Sequence, residues 1–452
     1  MMYQSIFPYT QQVIAEYGLL NDKEIDHRLQ LAKTAFADWK NTPFEQRAAV
    51  FMQVANILKR DKGLLATLIV QEMGKIKAEA IGEIEKCAYV CEYYAENAAH
   101  FLQDEIMEAG YKKSIVTHQP IGAVLGIMPW NFPFWQVFRY AAPTLMAGNV
   151  TLLKHAPNVC GCALIIEKIF IEAGAPIGVF QVLIVETDAV EKLLEADIIQ
   201  AVSLTGSERA GSSVAMFAGR NIKKSVLELG GSDAMIVLPD ADMKKAAKTA
   251  LQSRLLNAGQ SCIGSKRFIV VKDAMDAFMQ EVYLLLPTYK QGDPFDAATT
   301  TGPLARIDLA DNLKKQVQQS ISKGAQLSFS GGMEGCNFSP TLLTNVSKGM
   351  PAFDEETFGP VAAVISANDE NEAIELANDS ALGLAGSIWT SDIEKGIALA
   401  RKINTGSVFI NALVKSDPKL PIGGIKKSGY GRELGRHGIL EFVNAKTIAA
   451  AE

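Results

Sequence analysis

Hydrophobic and polar residues alternate with two different periods along this chain. Over the first hundred residues, apolar positions recur at spacings of three and four, which is the period of an amphipathic helix. This pattern predicts helices at residues 24–39, 43–60, 62–73 and 78–102. The N-terminal part of the chain is therefore expected to be helical.

Beyond about residue 114, short β-rich runs alternate with amphipathic segments such as residues 159–173. The predicted strands lie at residues 121–128, 150–154, 180–185, 200–204, 225–229 and 234–238. Strands that are separated by helices are typical of a parallel sheet with helices on both faces. This part of the chain is therefore predicted to be an α/β domain.

A second alternating stretch begins near residue 244 and has apolar runs at residues 268–271, 361–365 and 387–389. It predicts a second α/β domain, and the boundary between the two is expected at residues 230–232. No linker rich in Pro, Gly or Ser separates the halves. We therefore expect the two domains to pack tightly against each other.

Composition narrows the classes of function. The 452 residues carry a formal net charge of −6, whereas a nucleic-acid-binding protein normally has a basic excess. The most apolar stretch, residues 121–148, is interrupted by Asn131, Gln136 and Arg139, so no membrane span is predicted. The six cysteines are scattered without metal-site spacing, which favours free thiols in a reducing cytoplasm and predicts no bound metal. Small molecules are the expected partners.

Cys262 lies in a turn flanked by Gly259 and Gly264, between a helical run and a β-rich run. Such a turn exposes the thiol and lets backbone N–H groups approach it, as a nucleophile and a developing oxyanion require. A buried thiol that only packs is the alternative.

Glu228 lies at the end of an apolar strand and is followed by Gly230 and Gly231. Burial raises the pKa of a carboxyl group towards neutrality, which suits a general base. The alternative is a carboxylate that accepts hydrogen bonds from the amides of the glycine turn.

Asn131 is the only neutral amide among the prolines and aromatic residues of the segment 128–135. An amide in a stiff and dry loop can donate to a developing oxyanion without reorganising. The alternative is an Asn that only caps a turn.

Taken together and in this order, the segments 129–133, 228–231 and 259–262 resemble the motifs of the aldehyde dehydrogenase superfamily. Further similar segments are residues 205–211, 356–361, 377–384 and 421–429. The resemblance runs from about residue 72 to near the C-terminus. Within the superfamily, the chain is most similar to the bacterial succinate-semialdehyde dehydrogenases.

The resemblance implies an α/β fold with three parts. A Rossmann-like dinucleotide-binding domain is expected at residues 1–106 and 127–230, and a second α/β domain with the nucleophile at residues 231–426. A small β oligomerisation arm and tail are expected at residues 107–126 and 427–452, so the resemblance also implies a homodimer or homotetramer.

The resemblance also implies a reaction. Cys262 would attack the aldehyde carbon, the Asn131 amide and the Cys262 N–H would hold the oxyanion, and Glu228 would activate the water that hydrolyses the thioester. The implied reaction is the NAD(P)-dependent oxidation of succinate semialdehyde to succinate. Another small or ω-carboxylated aldehyde, such as glutarate semialdehyde, and a catalytically silent homologue are the alternatives.

No G-x-G-x-x-G motif follows a strand in this chain, and the family resembled here binds its dinucleotide without one. Position 157 carries a glutamate in many NAD-specific members, where it repels a 2′-phosphate; the proline found here predicts that both NADP and NAD are accepted. The implied cofactor-binding residues are Trp130, Lys154, Pro157, Gly206, Ser207, Glu356 and Phe358.

Arg139 lies in an otherwise apolar run, and a buried guanidinium needs an anionic partner. The resemblance implies that it binds the carboxylate of a semialdehyde, whereas an internal salt bridge is the alternative. Ser261 and Ser416 are further candidates for the same carboxylate. Phe132 and Trp135 are expected to form an apolar wall along the substrate.

Overall fold

The computed structural model describes residues 2–451 and begins with an antiparallel hairpin, Met2–Phe7 and Gln12–Gly18. Helices Asp22–Trp39, Phe44–Met73 and Lys77–Phe101 follow it. The prediction that the whole N-terminal part is helical is wrong for the hairpin. The predicted break near residue 61 is also absent, because one helix of 30 residues continues through it to the left-handed Gly74.

The first large sheet has six strands and contains the strands predicted between residues 121 and 229. All neighbouring strands are parallel except one pair at an edge of the sheet. In that pair Gly429–Tyr430 runs antiparallel to Lys224–Glu228. Across the sheet the order is Gly429–Tyr430, Lys224–Glu228, Ile199–Thr205, Ala123–Met128, Val150–His155 and Phe180–Val182. Its helices are Trp135–Met146, Cys160–Glu172, Ala189–Glu195 and Glu208–Arg220, with a 3₁₀ turn at Pro157–Val159.

The second large sheet has seven strands and confirms the prediction of a second α/β unit. Only its edge strand Gln326–Ser330 is antiparallel to its neighbour. The order is Gln326–Ser330, Thr341–Thr344, Val361–Ala367, Ser265–Val271, Asp233–Val237, Ala385–Trp389 and Ser407–Ile410. Its helical segments are Met243–Leu255, Leu256–Gly259, Lys272–Leu285, Leu286–Thr288, Ile307–Ser322, Pro351–Asp354, Glu370–Asn378 and Ile393–Ala400.

A third sheet joins the C-terminal strand Val443–Ala450 to Lys113–Pro120 and Glu105–Ile106. The predicted end of the arm at residue 126 lies inside Ala123–Met128, which is a strand of the six-stranded sheet. The segment that leaves the sheet therefore ends near Pro120. Two two-stranded pairs, Met333–Glu334 with Asn337–Phe338 and Leu382–Gly383 with Ile425–Lys426, and helix Gly435–Leu440 complete the elements.

Apolar side chains fill three main clusters. One lies between the N-terminal helices and the six-stranded sheet, and the other two cover opposite faces of the seven-stranded sheet. Burial on both faces explains why the strands read as continuous apolar runs. Within residues 2–451, no helix has both the length and the apolar character that crossing a membrane requires.

Candidate active site

Cys262 lies in a tightly constrained turn between helix Met243–Leu255 and strand Ser265–Val271. The three residues Asn257, Ala258 and Gly259 have φ values of 55°, 52° and 75°, so the backbone is left-handed over three positions. A Cβ on Gly259 would lie 2.2 Å from the carbonyl oxygen of Gly359, which leaves room only for glycine. Such strained backbone persists only where its surroundings hold it, and it is concentrated at functional sites.

The carbonyl groups next to the nucleophile are held by Lys266, which the sequence analysis missed. Its buried Nζ donates to the Ser261 oxygen at 2.8 Å and to the Cys262 oxygen at 2.6 Å. It also lies 3.2 Å from the Glu356 Oε1 atom. A lysine inside the apolar run of strand Ser265–Val271 is the signal that could have revealed it, since a buried charge needs partners.

All six cysteines are free, and Cys262 is half-buried whereas the other five are buried. Burial raises the pKa of Cys262 to about 11, and the positive charges of Arg139 and Lys266 oppose this rise. The packing alternative therefore does not describe Cys262, although it does describe the buried thiols Cys87 and Cys91.

Asn131 is buried beside this turn. Its Nδ2 atom donates to the Gln260 oxygen at 3.1 Å, and its own backbone oxygen accepts a 2.7 Å bond from the Asn257 side chain. A primary amide has two N–H donors. One N–H of Asn131 is therefore left over for another acceptor.

Glu228 ends its strand beside the same turn, with its side chain 2% exposed. Neither carboxylate oxygen has a hydrogen-bond partner within residues 2–451. Burial raises the pKa of Glu228 to about 7, with Arg139 lowering it and Glu433 raising it further. The glycine-turn alternative is not what the structure shows, because the amide of Gly231 donates to Glu356 instead, at 3.1 Å.

Arg139 is not a free cation in this structure. Its guanidinium contacts Glu433, lies 3.7 Å from the Glu228 Oε2 atom and donates to the Thr205 hydroxyl at 3.1 Å. Burial alone would lower the pKa of Arg139, but these two carboxylates hold it above its usual value. The internal ion pair is therefore present, because a fully buried guanidinium is stable only when it is paired, and the binding of a substrate carboxylate by Arg139 stays a prediction.

Cys262 lies where two cavities meet, and it lines both of them. The only other residue lining both is Gln136, whose buried Oε1 atom has no partner in the described chain. One cavity has a volume of about 270 Å³ and the other about 250 Å³. The thiol can therefore be reached from two separate directions.

The first cavity collects four residues that were predicted to bind substrate. They are Phe132, Trp135, Ser261 and Ser416. Arg139 also reaches its wall, and so does Lys86, which the sequence analysis missed. Lys86 lies in helix Lys77–Phe101, far along the chain from every motif, so only the folded structure reveals its position.

The second cavity collects most of the residues that were predicted to bind cofactor. Trp130 and Phe358 meet edge to face, with ring centroids 5.8 Å apart. Ser207 caps helix Glu208–Arg220, and a helix N-terminus attracts phosphate through its free N–H groups and its dipole. The predicted residues on this wall are Trp130, Gly206, Ser207, Glu356 and Phe358.

Lys154 and Pro157 lie outside that cavity. Lys154 is buried at the end of strand Val150–His155, and burial lowers its pKa. It makes no ion pair within residues 2–451. Pro157 lines a third cavity, shared with the N-terminal hairpin and Arg306. In the described part of the chain, no group of three or more His, Cys, Asp or Glu side chains could hold a metal ion.

Comparison with known proteins gives one consistent result. The model of the aldehyde dehydrogenase family matches residues 1–448. The chain is 47% identical to a probable NADP-dependent succinate-semialdehyde dehydrogenase of Synechocystis sp., over 99% of each chain. It is 42% identical to the NAD(P)-dependent succinate semialdehyde dehydrogenase of Escherichia coli K12, over 98% of this chain and 97% of that one.

A solved structure is also similar over its whole length. The crystal structure of succinic semialdehyde dehydrogenase from Streptococcus pyogenes, in complex with NADP⁺ as the cofactor, superposes with a TM-score of 0.97 at 40% identity. The match covers 100% of both chains. It confirms the predicted α/β fold over the whole chain.

Proposed function

The chain belongs to the aldehyde dehydrogenase family, and on that premise we propose that it oxidises succinate semialdehyde to succinate with NADP⁺ or NAD⁺. The position of Cys262 at the junction of two cavities carries the proposal. An aldehyde held in one cavity meets the thiol on one side, and a dinucleotide held in the other meets it on the opposite side.

The first step is attack by the Cys262 sulfur on the aldehyde carbon. The thiol proton passes to solvent water, the S–C bond forms, and the carbonyl electron pair moves to oxygen. Arg139 and Lys266 favour the thiolate because both lower the pKa of Cys262. The spare N–H of Asn131 donates to the oxyanion, as does the backbone N–H of Cys262.

The second cavity fits a dinucleotide, since it combines the helix N-terminus at Ser207 with an aromatic pair and the carboxylate of Glu356. When bound, the nicotinamide ring supplies the hydride acceptor that converts the thiohemiacetal to a thioester. Lys266 and the Gly231 amide hold the Glu356 carboxylate in the wall of this cavity.

Glu228 serves as the base of the last step. Its carboxylate takes a proton from water, the hydroxide oxygen bonds to the thioester carbon, and the C–S bond breaks to release the acid. A pKa of about 7 suits this role, since a base works best near the ambient pH. A catalytically silent homologue has no use for a buried carboxylate whose two oxygens accept no hydrogen bond within residues 2–451.

The lining of the first cavity supports a short substrate with a polar end. Phe132 and Trp135 supply an apolar wall for a carbon chain, and the Ser261 and Ser416 side chains supply hydroxyls. The relatives named above are succinate-semialdehyde dehydrogenases. Glutarate semialdehyde, which is longer by one methylene, is the second candidate.

Two features support the use of both cofactors. Pro157 offers no carboxylate to repel a 2′-phosphate, and the buried ammonium of Lys154 has no carboxylate partner in the described chain. The names of the relatives include both NADP-dependent and NAD(P)-dependent enzymes.

The third sheet supports assembly into a homodimer or homotetramer. Ile106, Ile115 and Ile448 are paired across its three strands, so they form one row on the same face. Ile106 is 84% exposed and Ile448 is 45% exposed. An exposed apolar row beside a free strand edge is typical of a surface that another copy covers.

The free thiols support an enzyme of the reducing cytoplasm.

The experiment that tests the substrate is a comparison of kcat/KM for succinate semialdehyde, glutarate semialdehyde and butyraldehyde with either cofactor. Butyraldehyde is the matched neutral substrate, because a methyl group replaces the carboxylate. We expect succinate semialdehyde to be preferred over both. Equal values for succinate semialdehyde and butyraldehyde would contradict the proposed substrate and leave the dehydrogenase activity in place.

A further inference from the structure

Asn257 is the first residue of the left-handed turn before Cys262, and no step of the proposed reaction uses its side chain. Its φ and ψ values are 55° and 38°, a conformation that asparagine tolerates better than most residues do. The residue is buried. A buried amide in a strained turn beside a nucleophile raises the question of what its hydrogen bonds hold in place.

The side chain of Asn257 joins the loop that contains Asn131 to the turn that contains the nucleophile. Its Nδ2 atom donates to the backbone oxygen of Asn131 at 2.7 Å and to that of Gln260 at 3.2 Å. The Nδ2 atom of Asn131 donates to the same Gln260 oxygen at 3.1 Å. Two amide side chains therefore share one carbonyl oxygen, two residues before Cys262.

The backbone of Asn257 is anchored to a long helix. Its N–H donates to the Glu79 carboxylate at 3.0 Å, and Glu79 belongs to helix Lys77–Phe101. A primary amide has two N–H donors, and those of the Asn257 side chain are taken up by Asn131 and Gln260. All three N–H groups of Asn257 thus have acceptors, which fixes the orientation of its side chain.

The side chain of Asn131 has little other support. Its Oδ1 atom is buried and accepts no hydrogen bond within residues 2–451. The direction of its spare N–H therefore depends on two bonds, one from its own Nδ2 atom to Gln260 and one from Asn257 to its backbone. A donor stabilises a developing oxyanion well only if its geometry is set beforehand.

We propose that Asn257 is a positioning residue that holds the spare N–H of Asn131 in place to donate to the oxyanion formed at Cys262. The inference rests on the proposed function, since Asn257 has this task only if Asn131 stabilises an oxyanion. Asn257 is not among the residues that line the two cavities at Cys262, so it acts through Asn131 and not on the substrate.

The first test is Asn257→Gly, which removes the side chain and keeps the backbone, because glycine adopts a positive φ without steric cost. Loss of an oxyanion donor costs a hundredfold or more, so its misplacement is expected to lower kcat/KM about tenfold. The loss should be similar for succinate semialdehyde and butyraldehyde, so it does not depend on which aldehyde is the natural substrate.

Asn345→Gly is the matched control. Asn345 also has a φ of 55°, and its Nδ2 atom donates to a backbone oxygen, that of Gly324, at 3.1 Å. It is exposed and lines neither cavity at Cys262. The control removes the same kind of hydrogen bond, and its kcat/KM is expected to equal that of wild type. An equal loss in Asn345→Gly would overturn the proposal.

Alkylation of Cys262 by iodoacetamide, followed on the peptide that contains it, separates positioning of Asn131 from support of the nucleophile. In this reaction the sulfur bonds to carbon and iodide leaves, so no oxyanion forms. The alkylation rate of Asn257→Gly is expected to match that of wild type. A fall equal to the fall in kcat/KM would show that the side chain only supports the turn, and would overturn the proposal.

A double-mutant cycle with Asn131→Ala tests the route of the effect. Once the Asn131 amide is gone, Asn257→Gly should lower kcat/KM by less than about twofold, because coupled residues are not additive. Full multiplication of the two losses would overturn this inference alone, whereas a harmless Asn131→Ala would also remove the oxyanion step of the proposed function. If Asn257→Gly does not fold, Asn257→Asp takes its place in each measurement, since it keeps the shape and replaces Nδ2 by an oxygen that cannot donate.

Discussion

Glu228 has one positively charged and one negatively charged neighbour, and the balance between them shifts its pKa. Arg139 lies 3.7 Å away and lowers the pKa of Glu228, while Glu433 raises it. Glu433 is bound to the same Arg139. Removing the charge of Glu433 therefore removes a repulsion and frees Arg139 to stabilise the Glu228 carboxylate.

The pH dependence of turnover follows from this arrangement. Glu228 must be deprotonated to accept a proton from water, so kcat should fall as the pH decreases through about 7. Glu433→Gln is expected to move this inflection roughly one pH unit lower, because a nearby negative charge is lost. The measurement is kcat against pH for both proteins. An inflection that stays in place would show that Glu433 does not tune the base.

Cofactor choice is predicted to depend on Pro157. A carboxylate at this position repels a 2′-phosphate, so Pro157→Glu should lower kcat/KM for NADP⁺ at least about tenfold, or about 1.4 kcal/mol. The value for NAD⁺ should change less. Lys154→Met is the companion variant, expected to act in the same direction by removing a cation. A parallel loss for both cofactors in Pro157→Glu would count against this account of the site.

Among individual residues, the sequence revealed those that lie in short motifs. Cys262, Glu228 and Asn131 each lie two residues from a glycine or a proline, so the local sequence indicates their chemistry. Lys266 and Lys86 were not recognised, because only folding brings their hydrogen-bond partners close to them. The ion-pair partner of Arg139 was not identified for the same reason, since Glu433 lies far along the chain.

Among the secondary-structure elements, helix Lys77–Phe101 packs against the loop that contains Asn131 and holds it in place. Glu83 projects from it to the first amides of helix Trp135–Met146, while Lys75 neutralises the carboxylate and lies 3.7 Å from the Phe132 ring centroid. The start of that helix and the loop that contains Asn131 are thereby tied to a long, buried helix.

The contribution of this support can be measured with Glu83→Ala. The variant leaves Lys75 as an unpaired buried charge and two amides without acceptors, which predicts a loss of about 3–5 kcal/mol of stability. The midpoint of thermal unfolding should fall by several degrees. Glu85→Ala is the matched control, because Glu85 forms an exposed ion pair with Lys62, worth about 1 kcal/mol at most. Equal shifts for the two variants would refute the role of Glu83.

The sequence predicted most strands and helices of the two large sheets within a few residues, because buried parallel strands stand out as apolar runs. The sequence did not predict the N-terminal hairpin because its strands are largely exposed and carry no continuous apolar run. It is held by tertiary contacts: buried Glu72 accepts hydrogen bonds from Ser5 at 2.5 Å and Tyr17 at 3.2 Å. A local pattern does not contain that information.

For the whole molecule, the third sheet is notable because its outer strand Val443–Ala450 is almost entirely exposed. Its strand Val443–Ala450 pairs on one side only, with Lys113–Pro120. The resemblance to a known family predicted that this region is an arm, but its boundary depended on where the chain enters the six-stranded sheet.

Assembly is predicted to depend on the isoleucine row. Ile448→Asp places a charge in the surface that a second copy is proposed to cover, so we expect light scattering to show a shift towards the monomer. Ile177→Asp is the matched control, because Ile177 is 70% exposed and lies outside the arm. If Ile448→Asp has the same mass in solution as wild type, this face is not the interface.

The most direct test of the central claim is mass spectrometry of Glu228→Gln after mixing with succinate semialdehyde and NADP⁺. Because this variant lacks the base for hydrolysis, we expect a succinyl group on the peptide that contains Cys262. We expect none on the corresponding peptide of the matched Cys262→Ala protein. An unmodified Cys262 peptide, with NADPH formed at the wild-type rate, would contradict the claim that this cysteine and this glutamate share the reaction.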